Sequence, residues 1–152
     1  MAVNPIPTTY PRVMPYLAVA GAADAIAFYT DVFGATERMR MPAPGGRIGH
    51  AELQIGDSVV MLADEFPEIH HVGPKRLGGS PVTLAIYVEN VDTVVANATT
   101  KGARVLQAVE NKFYGDRAAQ IEDPWGHRWS VMTHIEDVPP EEMMRRMQKM
   151  PG

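Results

Sequence analysis

His50 and Glu52 stand two residues apart in the run Gly49-His-Ala-Glu-Leu-Gln-Ile-Gly-Asp57. In an extended chain successive side chains point to opposite faces. An imidazole and a carboxylate at this spacing therefore share one face, while Ala51, Leu53 and Ile55 share the other. Such a pair can carry acid–base chemistry, with His50 as general base or hydrogen-bond donor and Glu52 as its partner. It can equally be a pair satisfied by neighbours or solvent across an open sheet.

A second group lies in Phe113-Tyr-Gly-Asp-Arg117. Turned inward, Arg117 would hold a carboxylate or phosphonate by a forked pair, with Tyr114 stacking on the ligand. Turned outward, Asp116 and Arg117 would pin the loop. The neighbours His70 and His71 point apart on an extended chain, so they make a poor chelate and are expected to face solvent. Asp123-Pro-Trp-Gly126 reads as a turn, in which Asp caps, Pro fixes φ and Gly supplies a conformation that other residues avoid. Its Trp125 reads as a lid over the core. His127 and Arg128 start the strand that follows, and His134 ends it.

Composition narrows the partners. The chain has 152 residues, 45% hydrophobic and 21% charged, which is ordinary for one globular domain. A formal charge of −4 offers no concentrated basic face for nucleic acid or an anionic membrane. The absence of cysteine removes disulfides, thiolate metal sites and cysteine nucleophiles. The start, MAVNPIPTTYPRV, does not read as a secretory signal, and no apolar run approaches the ~20 residues that span a bilayer. A cytoplasmic, soluble protein is expected. No nucleotide loop or Ser-His-Asp order is present.

The elements that must position these residues come in two similar series. A strand over residues 13–20 precedes a helix over 22–33, whose Ala22, Ile26, Tyr29 and Phe33 recur at helical spacing and which Gly34 stops. Strands follow over 36–41, 47–55 and 59–63, and residues 67–81 read as a linker. The second series has a strand over 82–88, a helix over 91–101 closed by Gly102, and strands over 104–109, 118–122 and 129–133. Laying Gly34 on Gly102, an offset of 68, places Ile26 on Val94. Duplication of one βαβββ module explains the pattern better than a solenoid repeat. A last helix over 139–150 carries Met143, Met147 and Met150 as an apolar stripe suited to docking on its own domain or a second subunit.

In order and spacing, four segments resemble the vicinal oxygen chelate superfamily, the group of glyoxalase I, bleomycin-resistance proteins and extradiol dioxygenases, and within it the PhnB-like branch. They are Ala25-Ile-Ala-Phe-Tyr-Thr-Asp-Val-Phe-Gly-Ala35, the run from Gly49 to Asp57, the run from Phe113 to Arg117, and Asp123-Pro-Trp-Gly-His-Arg-Trp129. The resemblance covers about residues 11–137. It implies an α+β fold in which two βαβββ modules build a cupped mixed sheet with helices outside, a ligand or metal inside the cup, and often a homodimer. Fold does not name a reaction in this group. By register with glyoxalase I, its metal ligands would fall on Met14, Met61, Thr83 and Ser130. None is a carboxylate or imidazole, so no metal and no cofactor is expected.

Three functions stay open. One is metal-independent binding of an unknown small molecule by Met14, Tyr16, His50, Glu52, Met61, Tyr87, Tyr114, Arg117, Ser130 and Met132. Another is an enzyme of lyase or dioxygenase-like chemistry using His50 and Glu52 with or without a metal. The third is an interaction module without a small ligand. A homodimer is expected, with neither nucleic acid nor membrane as partner.

Overall fold

Pro15 sets where the first strand begins. Having no N–H it cannot donate to a ladder, yet its carbonyl accepts from the Met61 N–H at 3.0 Å. The first strand, β1, is accordingly Tyr16–Val19, shorter than the 13–20 run expected. The computed structural model describes residues 2–151, and the chain divides into two compact units between Gly79 and Ser80.

In the first unit, β1 leads into helix α1 (Ala22–Phe33), then β2 (Thr36–Pro42), β3 (Ile48–Ile55) and β4 (Ser58–Asp64). The sheet order is β1-β4-β3-β2, with β1 parallel to β4 and the remaining pairs antiparallel. Leu17, Val19, Ala51, Leu53, Val60 and Leu62 alternate along three strands and are buried with Ile26, Tyr29 and Phe33 of α1. That alternation is the period of two that a half-buried strand requires. Gly34 closes α1 at φ 70°.

Residues 67–81 are more ordered than a linker. They contain a single 3-10 turn, Pro67–Ile69, and a short helix α2, Pro74–Leu77. Prolines at the first turns suit both, since their missing N–H groups would be unpaired there anyway. Gly73 is needed before α2 because a Cβ there would lie 2.8 Å from the Ala18 carbonyl oxygen.

The second unit repeats the order: β5 (Thr83–Tyr87), α3 (Val91–Thr100), β6 (Arg104–Asn111), β7 (Asp116–Glu122) and β8 (Arg128–His134), in sheet order β5-β8-β7-β6. Strand β7 begins two residues earlier than expected because Asp116 pairs with His134. The turn before β8 forms as its composition suggested. Asp123 accepts from the backbone of Trp125 and His127, each at 3.0 Å, and from the Trp129 indole at 2.9 Å.

The two units share a further device. At the end of β4, Asp64 Oδ1 accepts from the N–H groups of Gly21 and Ala22, each at 2.9 Å, and so holds the start of α1. At the end of β8, Thr133 Oγ1 accepts from Val91 N–H at 2.9 Å and donates to the Val88 carbonyl at 2.9 Å. Ala22, Ile26 and Tyr29 thus match Val91, Val95 and Ala98, all buried. Over the helices the offset is 69, and Ile26 lies on Val95, not Val94. It returns to 68 at Ala51 and Ala119, which oppose Leu62 and Val131, because α3 is shorter than α1.

The last helix, α4 (Pro140–Gln148), is tied by Arg146, which donates to Glu136, Glu142 and the Phe113 carbonyl, while Met144, Met147 and Met150 stay exposed. No helix among the described residues is long and apolar enough to cross a membrane.

Candidate functional site

Glu52 opposes Met61 on β4 and Met39 on β2, and Met61 opposes Tyr16 on β1. These four side chains form a row across the sheet on the face turned away from α1. The row should be open to water, yet Glu52 is only 4% exposed. Its cover comes from the segment before the sheet. Tyr10 donates its hydroxyl to both carboxylate oxygens, at 2.9 and 3.2 Å. Arg38 lies over the Tyr10 ring at 4.6 Å, approaches Glu52 Oε1 at 3.9 Å and donates to the Thr9 carbonyl at 3.2 Å.

His50 completes a chain of polar contacts. Its Nε2 lies 2.8 Å from Glu52 Oε2 and its Nδ1 lies 2.7 Å from the Tyr16 hydroxyl. An ionised carboxylate only accepts, so the proton between them belongs to His50 Nε2. The other ring nitrogen, Nδ1, meets the Tyr16 hydroxyl, which can donate to it or accept from it. Burial alone would push the Glu52 carboxyl up, but hydrogen bonds from His50 and Tyr10 and the charges of His50 and Arg38 outweigh it and hold it below the ordinary value. Burial, reinforced by the Glu52 charge, pushes the Tyr16 phenol up. The arrangement fixes a carboxylate, an imidazole and a phenol in one line, ready to orient a ligand or pass a proton.

Two cavities flank the row. One of about 290 Å³ is walled by Pro5, Ile6, Pro7, Pro11, Met14 and Met61, with Tyr10 and Arg12 also lining it. The other, about 330 Å³, is lined by Tyr16, Gly49, Ala63, Phe66, Ile69, His70 and His71. His71 does not simply face solvent as expected. Its ring is partly buried and meets Tyr16 edge-on at 5.4 Å, and its Nε2 is buried without a hydrogen-bond partner.

The second unit has its own polar cluster. Buried Asp116 accepts from the Tyr87 hydroxyl at 2.8 Å and pairs with His134 Nδ1 at 2.9 Å, while His134 Nε2 pairs with Asp137 at 2.7 Å. Arg117 departs from the inward reading. It lies on the helix side of β7 with Ala119 and Ile121, and its fork closes on Asp92 of α3 through Nε at 2.8 Å and Nη2 at 2.9 Å. A guanidinium so paired is not offered to a ligand carboxylate. Tyr114 packs edge-on against Phe113 at 5.3 Å. Ser130 opposes Ala85 and Met132 opposes Tyr87, on the face of the second sheet away from α3. The structure thus brings Tyr16, His50, Glu52 and Met61 together, with Met14 in the adjoining cavity, and sets Tyr87 against Asp116.

Tyr10 and Arg38 were not picked out in the sequence. The available signals were weak: an aromatic residue among Pro5, Pro7 and Pro11, which stiffen the segment, and an arginine between exposed strand positions. Asp116 was noted as a loop pin, but its role as the centre of a cluster depends on β8.

The residues do not suit a divalent metal. Met14, Met61, Thr83 and Ser130 offer thioethers and hydroxyls where carboxylates or imidazoles are needed. Among the described residues no three His, Asp or Glu side chains converge so as to hold an ion.

Comparison with known proteins agrees with this architecture. An uncharacterized protein of Mycobacterium bovis is 38% identical over 150 residues, covering 97% of this chain and 96% of its own. The crystal structure of TioX from Micromonospora sp. ML1 is 28% identical, with a TM-score of 0.63 over 82% of this chain and 99% of its own. A PhnB protein from Bacillus cereus, putatively a 3-demethylubiquinone-9 3-methyltransferase, is 16% identical and shares the fold at a TM-score of 0.64 over 81% and 99% of the two chains. Residues 10–131 match the model of one family. The paired open βαβββ units and this match together place the chain in the Glyoxalase/Bleomycin resistance protein/Dioxygenase superfamily.

Proposed function

We propose that this protein binds a small molecule without a metal, on the face of the first sheet that carries Tyr16, His50, Glu52 and Met61. The observation that carries this reading is Glu52, a buried carboxylate kept ionised by Tyr10 and His50 beside a cavity walled by methionines and prolines. A stability-driven surface has no need of such a group, because burying a charge is costly unless it is paired and hydrogen-bonded. Methionine walls adapt to irregular apolar bodies, and a few placed polar groups fix orientation. The polar cluster around Tyr87, and Ser130 and Met132 near it, is a secondary part of the same proposal.

Native mass spectrometry of the protein as purified tests it. A retained small molecule that is lost in Glu52→Gln while the fold persists supports the reading. Retention unchanged in that variant, or no mass beyond the chain after metabolite-extract incubation, rules it out and favours an interaction module.

The enzyme reading is supported by one observation, the placement of His50 between a carboxylate and a phenol, which allows a proton to be taken up and released. It predicts that His50→Gln retains the ligand but no longer converts it. The proposal extends to a homodimer, supported by the exposed methionines of α4, to a PhnB-like place within the family, supported by the quoted motifs, and to the cytoplasm, with which a chain free of cysteine is compatible. Light scattering that gives a single-chain mass at high micromolar concentration would remove the dimer.

A further inference from the structure

Residues 2–14 have no regular structure and lie over the face that carries Glu52. Among the described residues, two neighbours tie them to the sheet by hydrogen bonds: Tyr10 donates to Glu52, and the Thr9 carbonyl accepts from Arg38. Little apolar burial adds to this hold, since Val3 is 89%, Ile6 47% and Val13 88% exposed. Pro5, Pro7 and Pro11 fix φ and have no N–H to donate, so the segment is stiff yet sparsely bonded.

What this segment lays on the sheet is a phenol. The Tyr10 ring sits under the Arg38 guanidinium at 4.6 Å, an attractive cation–π arrangement, and its O–H reaches both Glu52 oxygens. The sheet itself builds this grip. Glu37 opposes Leu53 and Met39 opposes Glu52, so Arg38 is an extra residue on β2, a bulge. Bulges re-aim side chains, and this one brings Arg38 over the Glu52 face, although its neighbour Met39 also points there. His50 donates to Glu52 from β3 as well. Arg38, His50 and Glu52 therefore keep their places on the sheet when the segment leaves. An ionised carboxylate only accepts, so whatever replaces Tyr10 must donate.

We propose that Tyr10 stands in for the ligand: the small molecule of this site is a phenol, its ring entering beneath Arg38 and its hydroxyl donating to Glu52, and residues 2–14 are a strap that it displaces. This rests on small-molecule binding at Glu52, as proposed above, and adds its chemical class and its regulation. The strap lifts by a swing about Arg12 and Val13, both exposed, while Pro15 stays fixed because its carbonyl takes the Met61 N–H at 3.0 Å. Tethered so close to β1, Tyr10 competes at an effective concentration on the order of millimolar. A free phenol then binds with an affinity reduced by the fraction of time the strap is open. Without a phenol, the strap keeps the carboxylate paired.

The probes are p-cresol, the free form of the tyrosine side chain, and 4-methylanisole, its methyl ether, titrated into the full chain with the His50 ring signals followed by NMR. In Tyr10→Ala, p-cresol should shift His50 saturably and bind about tenfold or more tighter than in wild type. The ether, which cannot donate, should bind that variant about tenfold or more weakly than p-cresol, the scale of a lost hydrogen bond to a charged group. Tyr10→Phe keeps the strap's ring and loses its donor, so it should also bind p-cresol more tightly than wild type, and it serves if the alanine variant folds poorly. At saturation of wild type, the amides of residues 2–14 should exchange faster. The proposal is overturned if both Tyr10 variants bind p-cresol no more tightly than wild type, if the ether binds as well as p-cresol, if exchange at 2–14 is unchanged at saturation, or if millimolar p-cresol leaves His50 unshifted in both variants. None of these failures touches the binding reading itself, which stands or falls on the molecule retained by wild type and lost in Glu52→Gln; such a ligand would enter beside Met14 and Met61 with Tyr10 in place.

Discussion

The hydroxyl of Tyr10 donates to Glu52 Oε1 at 2.9 Å across 42 residues of sequence. Through this contact a proline-rich segment with no regular structure becomes one wall of the site. Tyr10→Phe keeps the ring beneath Arg38 and removes only the donor. The Glu52 carboxyl should then rise toward its ordinary value, and the amides of residues 2–14 should exchange protons faster than in wild type. Unchanged exchange there would mean that the Arg38 stack alone holds the segment.

The ionisation of Glu52 couples the site to acid. Its carboxyl lies below the ordinary value of 4.5 in the folded chain, so its stabilising contribution is full above that value and is lost as pH falls through the folded one. The melting-temperature gap between wild type and Glu52→Gln should therefore be constant from neutral pH down to about pH 5 and shrink below it. A gap that widens on acidification would reverse the assigned sign.

His134 shows the opposite dependence. Hydrogen bonds to Asp137 and to Asp116 raise it above its ordinary value of 6.5. The contribution is present in full below 6.5 and is lost as pH rises through the folded value. On alkalinisation from about pH 6, wild type should lose stability relative to His134→Gln, whose side chain has no charge to lose. An NMR titration of His134 with a midpoint at or below 6.5 would contradict this.

Gly115 adopts φ 104°, and a Cβ there would overlap the Glu136 carbonyl oxygen. Its own carbonyl accepts from the N–H groups of both Ile135 and Glu136, so the backbone has little room to move away. Gly115→Ala should cost well over ~1 kcal/mol, seen as a melting point several degrees lower. A change within one degree would show that the approach to Glu136 relaxes freely.

Much of the fold is legible in the chain itself because local rules act over a few residues. The helical spacing of Ala22, Ile26, Tyr29 and Phe33, the stop at Gly34, the alternation around His50 and Glu52 and the turn chemistry of Asp123 each fix an element without distant help. The same alternation put His50 and Glu52 on one face, and a strand leaves them no other choice. Tertiary structure decided what those elements meet. Tyr10 and Arg38 reach Glu52 only once β2, β3 and the N-terminal segment are assembled. Arg117 faced either way until α3 brought Asp92 within reach of its fork, and a charged pair forms where the partner stands. His71 was expected in water because adjacent residues on an extended chain diverge. A closed loop with one left-handed residue is not extended, and it turned the ring against Tyr16. Spacing along the chain determines which face a side chain takes, but the partner on that face comes from residues whose approach depends on how the sheet closes.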